Sequence, residues 1–250
     1  MGTPDVYDDI GRHYTGTRRP DPRIAALIHA SLGDSRDVLN VGAGTGSYEP
    51  AHLRVVAVEP SLEMIRQRPA PASPVVQAMA EHLPFAGDSF DAALAVLTLH
   101  HWQDQAAGLA EMARVARRRV VILTWDPACG RDFWLTTEYF PAVVELDAAR
   151  FPSPAEIACI IGSVDVRPVP VPRDCRDGFL GAFWACPEAY LDPHVRRAIS
   201  GFAQLSPSIV EAGIERLAGD LASGHWDARF GDLRNREAVD IGYRLIVAAR

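Results

Sequence analysis

Three groups of residues in this chain could do chemistry. The first is the turn Gly42-Ala43-Gly44-Thr45-Gly46, which follows the apolar run Val38-Leu39-Asn40-Val41. Glycine in such a turn tolerates positive φ and lets a ligand approach the backbone. The second is Glu59, which closes another apolar run, Val55-Val56-Ala57-Val58. A carboxylate at the end of the next strand is placed to hold the two hydroxyls of a ribose. The third is His100-His101-Trp102, which emerges from the most apolar stretch of the chain, 92–97. Open α/β sheets bind ligands at the carboxyl ends of their strands, and histidine titrates in the range that proton transfer needs. The dinucleotide fingerprint G-x-G-x-x-G does not fit this turn. Ser47 stands where its third glycine should be, and the spacing is G-x-G-x-G, which disfavours a nicotinamide oxidoreductase.

Alternating strands and helices must position these groups. Asp21-Pro22 opens a helix that Gly33 closes, with Ile24, Leu27, Ile28 and Leu32 on its buried face. Strands over 37–41 and 54–58 show almost no alternation, as strands covered on both faces must. Ser61 caps a helix with Leu62, Met64 and Ile65 inward, and strands follow over 75–78 and 92–97. Asp104 caps a helix with Leu109, Met112, Ala113 and Ala116 on one face. Arg117-Arg118-Arg119 is expected at its C-terminus, complementing the helix dipole. A strand over 120–124 leads to Phe133, Trp134, Tyr139 and Phe140 on a further helix. Ser153-Pro154-Ala155-Glu156 is a capping box for a helix that Gly162 ends. Strand six is expected over 164–171 and the last over 243–248. Helical patterns around 179–184, 194–202 and 209–222 fill the interval between them.

Composition excludes several classes. At 250 residues, 48% hydrophobic and 23% charged, the chain reads as an ordinary globular protein of one domain. A net charge of −7 argues against nucleic acid as a partner. Cys129, Cys159, Cys175 and Cys186 form no CxxC pair, so reduced thiols and no metal site are expected. The start MGTPDVYDD carries no signal peptide pattern, and no apolar run reaches the ~20 residues of a membrane helix. The expectation is a cytosolic protein, monomer or homodimer, with no membrane partner.

VLNVGAGTG followed by VEPS resembles the first two motifs of the class I S-adenosylmethionine-dependent methyltransferases. Met79-Ala80-Glu81-His82-Leu83-Pro84-Phe85 resembles the family's D-A-E-x-L-P-F element beside the adenine, with Met79 in place of the acid. The resemblance covers about residues 35–125 and is to small-molecule enzymes of the quinone-biosynthesis type. It implies an α/β, Rossmann-like class I methyltransferase fold: a seven-stranded, mostly parallel sheet flanked by helices, with a helical insertion between strands six and seven. The implied layout is one methyltransferase domain over 1–250. An N-terminal arm spans 1–20, the core is 21–172 plus 240–250, and the insertion 173–239, by its length beside the site, is read as a lid with a packing helical appendage or a dimer interface as the alternative. The implied cofactor is S-adenosyl-L-methionine, leaving S-adenosyl-L-homocysteine as product. By the same resemblance Asn40, Gly42, Ala43, Gly44, Gly46, Glu59, Pro60, Met64, Met79, Ala80, Glu81, Leu97 and Thr98 line the cofactor, and Tyr14 and Arg18 of the arm lie over it.

Methyl transfer from a sulfonium is a direct displacement that needs alignment and often the removal of one proton. Candidate bases are His13, His100, His101, Asp126 and Asp174. His101 and then His100 are favoured by their loop, and His100 is expected in a structural hydrogen bond. Trp125, Trp134, Phe183, Trp184 and Tyr190 are expected around the site, so the small-molecule acceptor is read as hydrophobic or aromatic. A non-catalytic cofactor-binding protein, or other sulfonium chemistry on the same fold, remains as an alternative.

Overall fold

The computed structural model describes residues 18–250, so Tyr7, His13 and Tyr14 lie outside the described residues. Capped helices and apolar strands alternate as the residue patterns require. Asp21 caps α1 (Pro22–Ser31) by accepting the Arg23 amide, and proline fills a first-turn position whose N–H has no helical partner. β1 (Asp37–Val41) and β2 (Arg54–Val58) follow, then α2 (Leu62–Arg66), capped by Ser61. β3 (Val75–Val76) and β4 (Phe90–Val96) precede α3 (Gln105–Val115), which runs directly into β5 (Ala116–Trp125). Next come α4 (Pro141–Ala148), α5 (Pro154–Ile161) with its Ser153–Glu156 capping box formed, β6 (Val164–Pro168) and β7 (Val171–Pro172). The chain ends with α6 (Pro193–Arg197), α7 (Ser200–Ala203), α8 (Pro207–Ala222), α9 (His225–Phe230), β8 (Ala238–Val239) and β9 (Tyr243–Ala249).

Seven strands make one sheet in the order β3-β2-β1-β4-β5-β9-β6. β1 through β5 run parallel, and β9 lies antiparallel between β5 and β6. The order reverses between β1 and β4, which leaves a crevice at their carboxyl ends. Successive strand residues face opposite layers. Val38, Leu94 and Val121 pack with α1 and with the 173–239 segment, whereas Leu39, Ala95 and Ile122 pack with α3 and α5.

Six expectations about the elements are corrected. Leu27, expected on the buried face of α1, is 44% exposed. Leu62 is 49% exposed, because α2 is only five residues long and turns Met64 alone inward. Arg117–Arg119 lie on β5, not at a helix end. Their guanidiniums pair with Asp91 and Asp34, and these ion pairs replace the expected dipole contact. Strand six stops at Pro168, and Val171–Pro172 pairs instead with Ala238–Val239 in a separate two-stranded sheet. Prolines at 168, 170 and 172 cannot donate to a continuous ladder. The aromatic stretch after Trp134 makes a single wide turn, Leu135–Tyr139, before α4 begins. Residues 179–184 form turns rather than a helix, since Gly181 is wedged against Ile241 and Tyr243 and the Trp184 indole donates to the Val171 carbonyl at 3.0 Å.

The aromatic residues expected around the site are mostly core. Trp184 and Tyr190 are fully buried, Trp134 is 3% exposed, and Trp134 meets Tyr190 and Trp226 edge-on. The 173–239 segment therefore joins the main core on one face of the sheet. Among the described residues no helix is long and apolar enough to cross a membrane.

Candidate active site

A cavity of about 380 Å3 opens at the carboxyl ends of β1, β2 and β4. The glycine turn forms its floor. Gly42 and Ala43 both donate to the Val58 carbonyl at 2.9 Å, which folds the chain back against β2. Gly42 has φ +68, and a Cβ there would overlap the Thr98 hydroxyl, so only glycine lets β1 and β4 turn past each other. Gly44, at φ +54, faces open space. Glu59 is 7% exposed; one of its oxygens accepts the Gly44 amide at 2.7 Å and the other the Ser61 amide at 2.9 Å. This carboxylate therefore braces the turn from the cavity wall. Leu97 leaves β4 in a left-handed conformation, φ +50, which aims residues 97–103 at the cavity. Such a conformation costs on the order of 1 kcal/mol or more, and it is fixed here by the Leu97 amide donating to Leu123 at 2.8 Å.

Behind the turn lies a brace that motif reading missed. Arg68 donates to both oxygens of Glu49 at 2.8 Å and to the Gly44 carbonyl at 3.2 Å, and Asn40 donates to Glu49 at 3.0 Å. The Arg68 and Glu49 side chains are 3% and 10% exposed, so the pair is a buried one. No spacing rule joins positions 49 and 68, so nothing in the local sequence marks the pair.

A second network ties the turn to the 173–239 segment. The Tyr48 hydroxyl donates to Asp177 at 2.9 Å, Arg18 pairs with Asp177 at 2.6 Å, and Tyr48 accepts the Asp21 amide at 3.3 Å. Burial and the Asp177 charge push the Tyr48 phenol far above its usual range, so it remains a donor. Arg23 and the Arg176 amide hold the Asp21 carboxyl down to about 2 against the cost of its burial.

The expected site residues sort clearly. Arg18, Asn40, Gly42, Ala43, Gly44, Glu59, Pro60, Met64, Met79, Ala80, Glu81, Leu97, Thr98 and His101 all line the cavity. Gly46 does not; at φ +92 it packs against the Arg68 guanidinium. Tyr14 and His13 lie outside the described residues. Asp126 instead accepts the Ala128 amide at 3.0 Å, and the exposed Asp174 pairs with Arg23; neither lines the cavity. Thr45, Ser47, Tyr48, Val96, Trp102, Gln103, Arg150 and Gln204 complete the wall without having been singled out as cofactor contacts. The Trp102 ring rests on α3, where Gly108 leaves room for it.

His100 and His101 follow β4 on one tight turn, with ring centroids 3.7 Å apart. The expected structural hydrogen bond of His100 is absent at Nδ1 among the described residues, and the ring stacks on Phe151 at 4.2 Å instead. Burial, with Arg150 and Arg18 nearby, pulls His101 down to about 3, and burial with His101 lowers His100 well below the usual range. Both imidazoles are therefore neutral across the physiological range.

A positive-φ glycine turn, a buried acid after β2 and apolar walls from Met64 and Met79 suit a nucleoside bearing an amino-acid tail. The volume lies within the 300–1,000 Å3 common for small-molecule sites. Residues 39–124 match the profile of a methyltransferase domain. A demethylmenaquinone methyltransferase of Renibacterium salmoninarum is 31% identical over 163 residues, which are 58% of this chain and 68% of that protein. A crystal structure described as a methyltransferase from an antibiotic biosynthesis pathway of Anabaena variabilis superposes with a TM-score of 0.85. It is 35% identical, over 93% of this chain and 98% of that one. The chain belongs to the class I S-adenosylmethionine-dependent methyltransferases. S-adenosyl-L-methionine is accordingly its cofactor, and the mostly parallel seven-stranded sheet is the family's. A tRNA (carboxymethyluridine(34)-5-O)-methyltransferase of Xenopus tropicalis is also similar, at 31% over 131 residues. This chain spans only 20% of that protein's length.

Proposed function

We propose that this methyltransferase acts on a small, hydrophobic or aromatic molecule. The observation that carries the reading is how the cavity is walled. Arg18, Arg150 and Gln204, from segments far from the glycine turn, line it together with His101, so early and late parts of the chain contribute to its wall. Such a wall suits a molecule that can be enclosed. The net charge of −7 and the pairing of Arg117–Arg119 with Asp34 and Asp91 favour the same reading over tRNA.

The bound cofactor supplies an electrophilic methyl group on a sulfonium. Glu59 takes the ribose hydroxyls while keeping its two amide bonds, and the Gly42–Gly44 backbone lies against the amino-acid tail. Ala80 and Glu81 border the base, with Met79 packing on its ring in place of a polar contact. Arg18 contributes from the arm side, where its pair with Asp177 holds it at the cavity edge. His101 contacts the acceptor as a neutral hydrogen-bonding ring, and Trp102 limits water. The four cysteines are free, which fits a reducing, cytosolic setting.

Calorimetric titration with S-adenosylhomocysteine, followed by transfer of labelled methyl groups to a panel of small aromatic acceptors and to bulk tRNA, tests this reading. Micromolar cofactor binding and label in the small-molecule fraction are expected. Label in tRNA alone would refute the acceptor class, and no cofactor binding would refute the site.

A further inference from the structure

A second cavity, of about 60 Å3, lies beyond the first and shares Arg18, Leu97 and His101 with it. That is room for on the order of five waters and less than the about 150 Å3 that encloses a benzene ring, so a ring seated here also reaches past Arg18, Leu97 and His101 into the first cavity. Its walls are largely apolar and flat, with Trp125, Phe151, Phe179 and Tyr243 among them. Two buried polar side chains line it without being satisfied. Asp147, on α4, is 7% exposed and makes no side-chain hydrogen bond among the described residues. His100 is 9% exposed, and its Nδ1 has no partner among them. A carboxylate buried without a donor is costly, so its retention in a cavity wall calls for a ligand that donates to it. Neither group is used by the cofactor cavity.

We propose that this second cavity is the inner end of the acceptor subsite, that it takes the hydroxyl-bearing edge of a single aromatic ring, and that Asp147 receives the hydroxyl proton. The inference rests on the small-molecule reading above and names its substrate class. In the balanced step, the acceptor oxygen forms a bond to the donor's methyl carbon and the sulfur–carbon bond breaks, its electron pair staying on the now neutral sulfur. The O–H proton passes to the Asp147 carboxylate. The surroundings favour oxygen over an ammonium-bearing acceptor. Arg18 lines the cavity, and Arg150 acts on Asp147 and both histidines, so the local cations oppose a positive ligand and support developing phenolate charge. Burial also pushes the Asp147 carboxyl up to about 7, which suits a group that takes a proton near neutral pH.

The test is binding of phenol, benzene and benzylamine to the full chain saturated with S-adenosylhomocysteine, followed by ligand-observed NMR and calorimetry. Phenol is expected to bind more tightly than benzene, and benzylamine more weakly than either. Asp147→Asn should weaken phenol by about tenfold or more, leave benzene unchanged, and leave S-adenosylhomocysteine affinity at the wild-type value. Leu180→Trp, which enlarges a wall residue away from the polar groups, should weaken phenol and benzene together and stands as the test if Asp147→Asn does not fold. Equal binding of phenol by wild type and Leu180→Trp would overturn the subsite, and equal binding by Asp147→Asn would overturn the role of Asp147. Preference for benzylamine would overturn the hydroxyl. Cofactor binding without phenol binding refutes this inference alone, whereas loss of cofactor binding in the wild type refutes the reading beneath it.

Discussion

The two cavities share three wall residues and are built in opposite ways. The larger draws most of its wall from 40–103, a stretch of strand ends and the turns after them, and its buried carboxylate, Glu59, is held by nearby backbone amides. The smaller gathers residues from seven separate stretches of the chain from Arg18 to Tyr243 and leaves His100 Nδ1 without a partner among the described residues. The first is a scaffold for something constant. The second is a set of side chains on late segments, where substitutions can change the ligand without disturbing the sheet.

That contrast is broken or sharpened by four measurements, taken from the largest effect downward. Arg68→Ala removes one partner of a buried pair behind the glycine turn and strands Glu49. It should cost about 3–5 kcal/mol in urea unfolding and weaken S-adenosylhomocysteine binding as well. Wild-type stability would mean that the turn supports itself and the larger cavity is less built than described.

Asp147→Asn probes the other side through pH. The Asp147 carboxyl sits at about 7 in the fold against 3.8 unfolded, so between those values the folded protein holds a proton that the unfolded chain releases. Stability therefore falls as pH rises through that window, and the penalty is complete above about 7. Asp147→Asn should be more stable than wild type at pH 8 by on the order of 2–4 kcal/mol, and equal to it near pH 3. His101 has the opposite sign: its folded value of about 3 lies below 6.5, so stability is lost as pH falls between them. A flat difference between Asp147→Asn and wild type across pH 4–8 would show that the carboxylate is not strained.

Glu59→Ala should weaken S-adenosylhomocysteine by tens-fold, about 2 kcal/mol. It should also lower the melting temperature, because the Gly44 and Ser61 amides lose their acceptor. Full cofactor affinity in calorimetry would remove Glu59 from the site. His101→Ala is the smallest effect, about a tenfold loss of turnover with cofactor affinity intact, since a neutral ring contributes orientation and one hydrogen bond. A loss of several hundredfold would make His101 the proton acceptor and displace Asp147.

Much of the larger cavity was legible because its chemistry is local. Positive φ demands glycine at 42 and 44, a strand end places Glu59, and Asp104, Ser61 and Ser153 announce the helices that frame them. The Arg68–Glu49 brace and the Tyr48–Asp177–Arg18 network were not legible, because each joins positions far apart with no periodicity to mark them. Aromatic residues misled for a related reason. Trp134, Trp184 and Tyr190 fill a core as readily as they line a pocket, and only packing assigns them.

The sequence by itself determined most strands, capped helices and the glycine turn of the nucleoside end, since hydrophobic period, caps and positive φ act over a few residues. Only the tertiary structure decided the acceptor side. Arg117–Arg119 continue into β5 because their charges meet Asp91 and Asp34 from other segments. Asp147 becomes a strained acid because distant aromatic and aliphatic walls exclude water around it, and burial in a cavity is a property that no window of sequence contains.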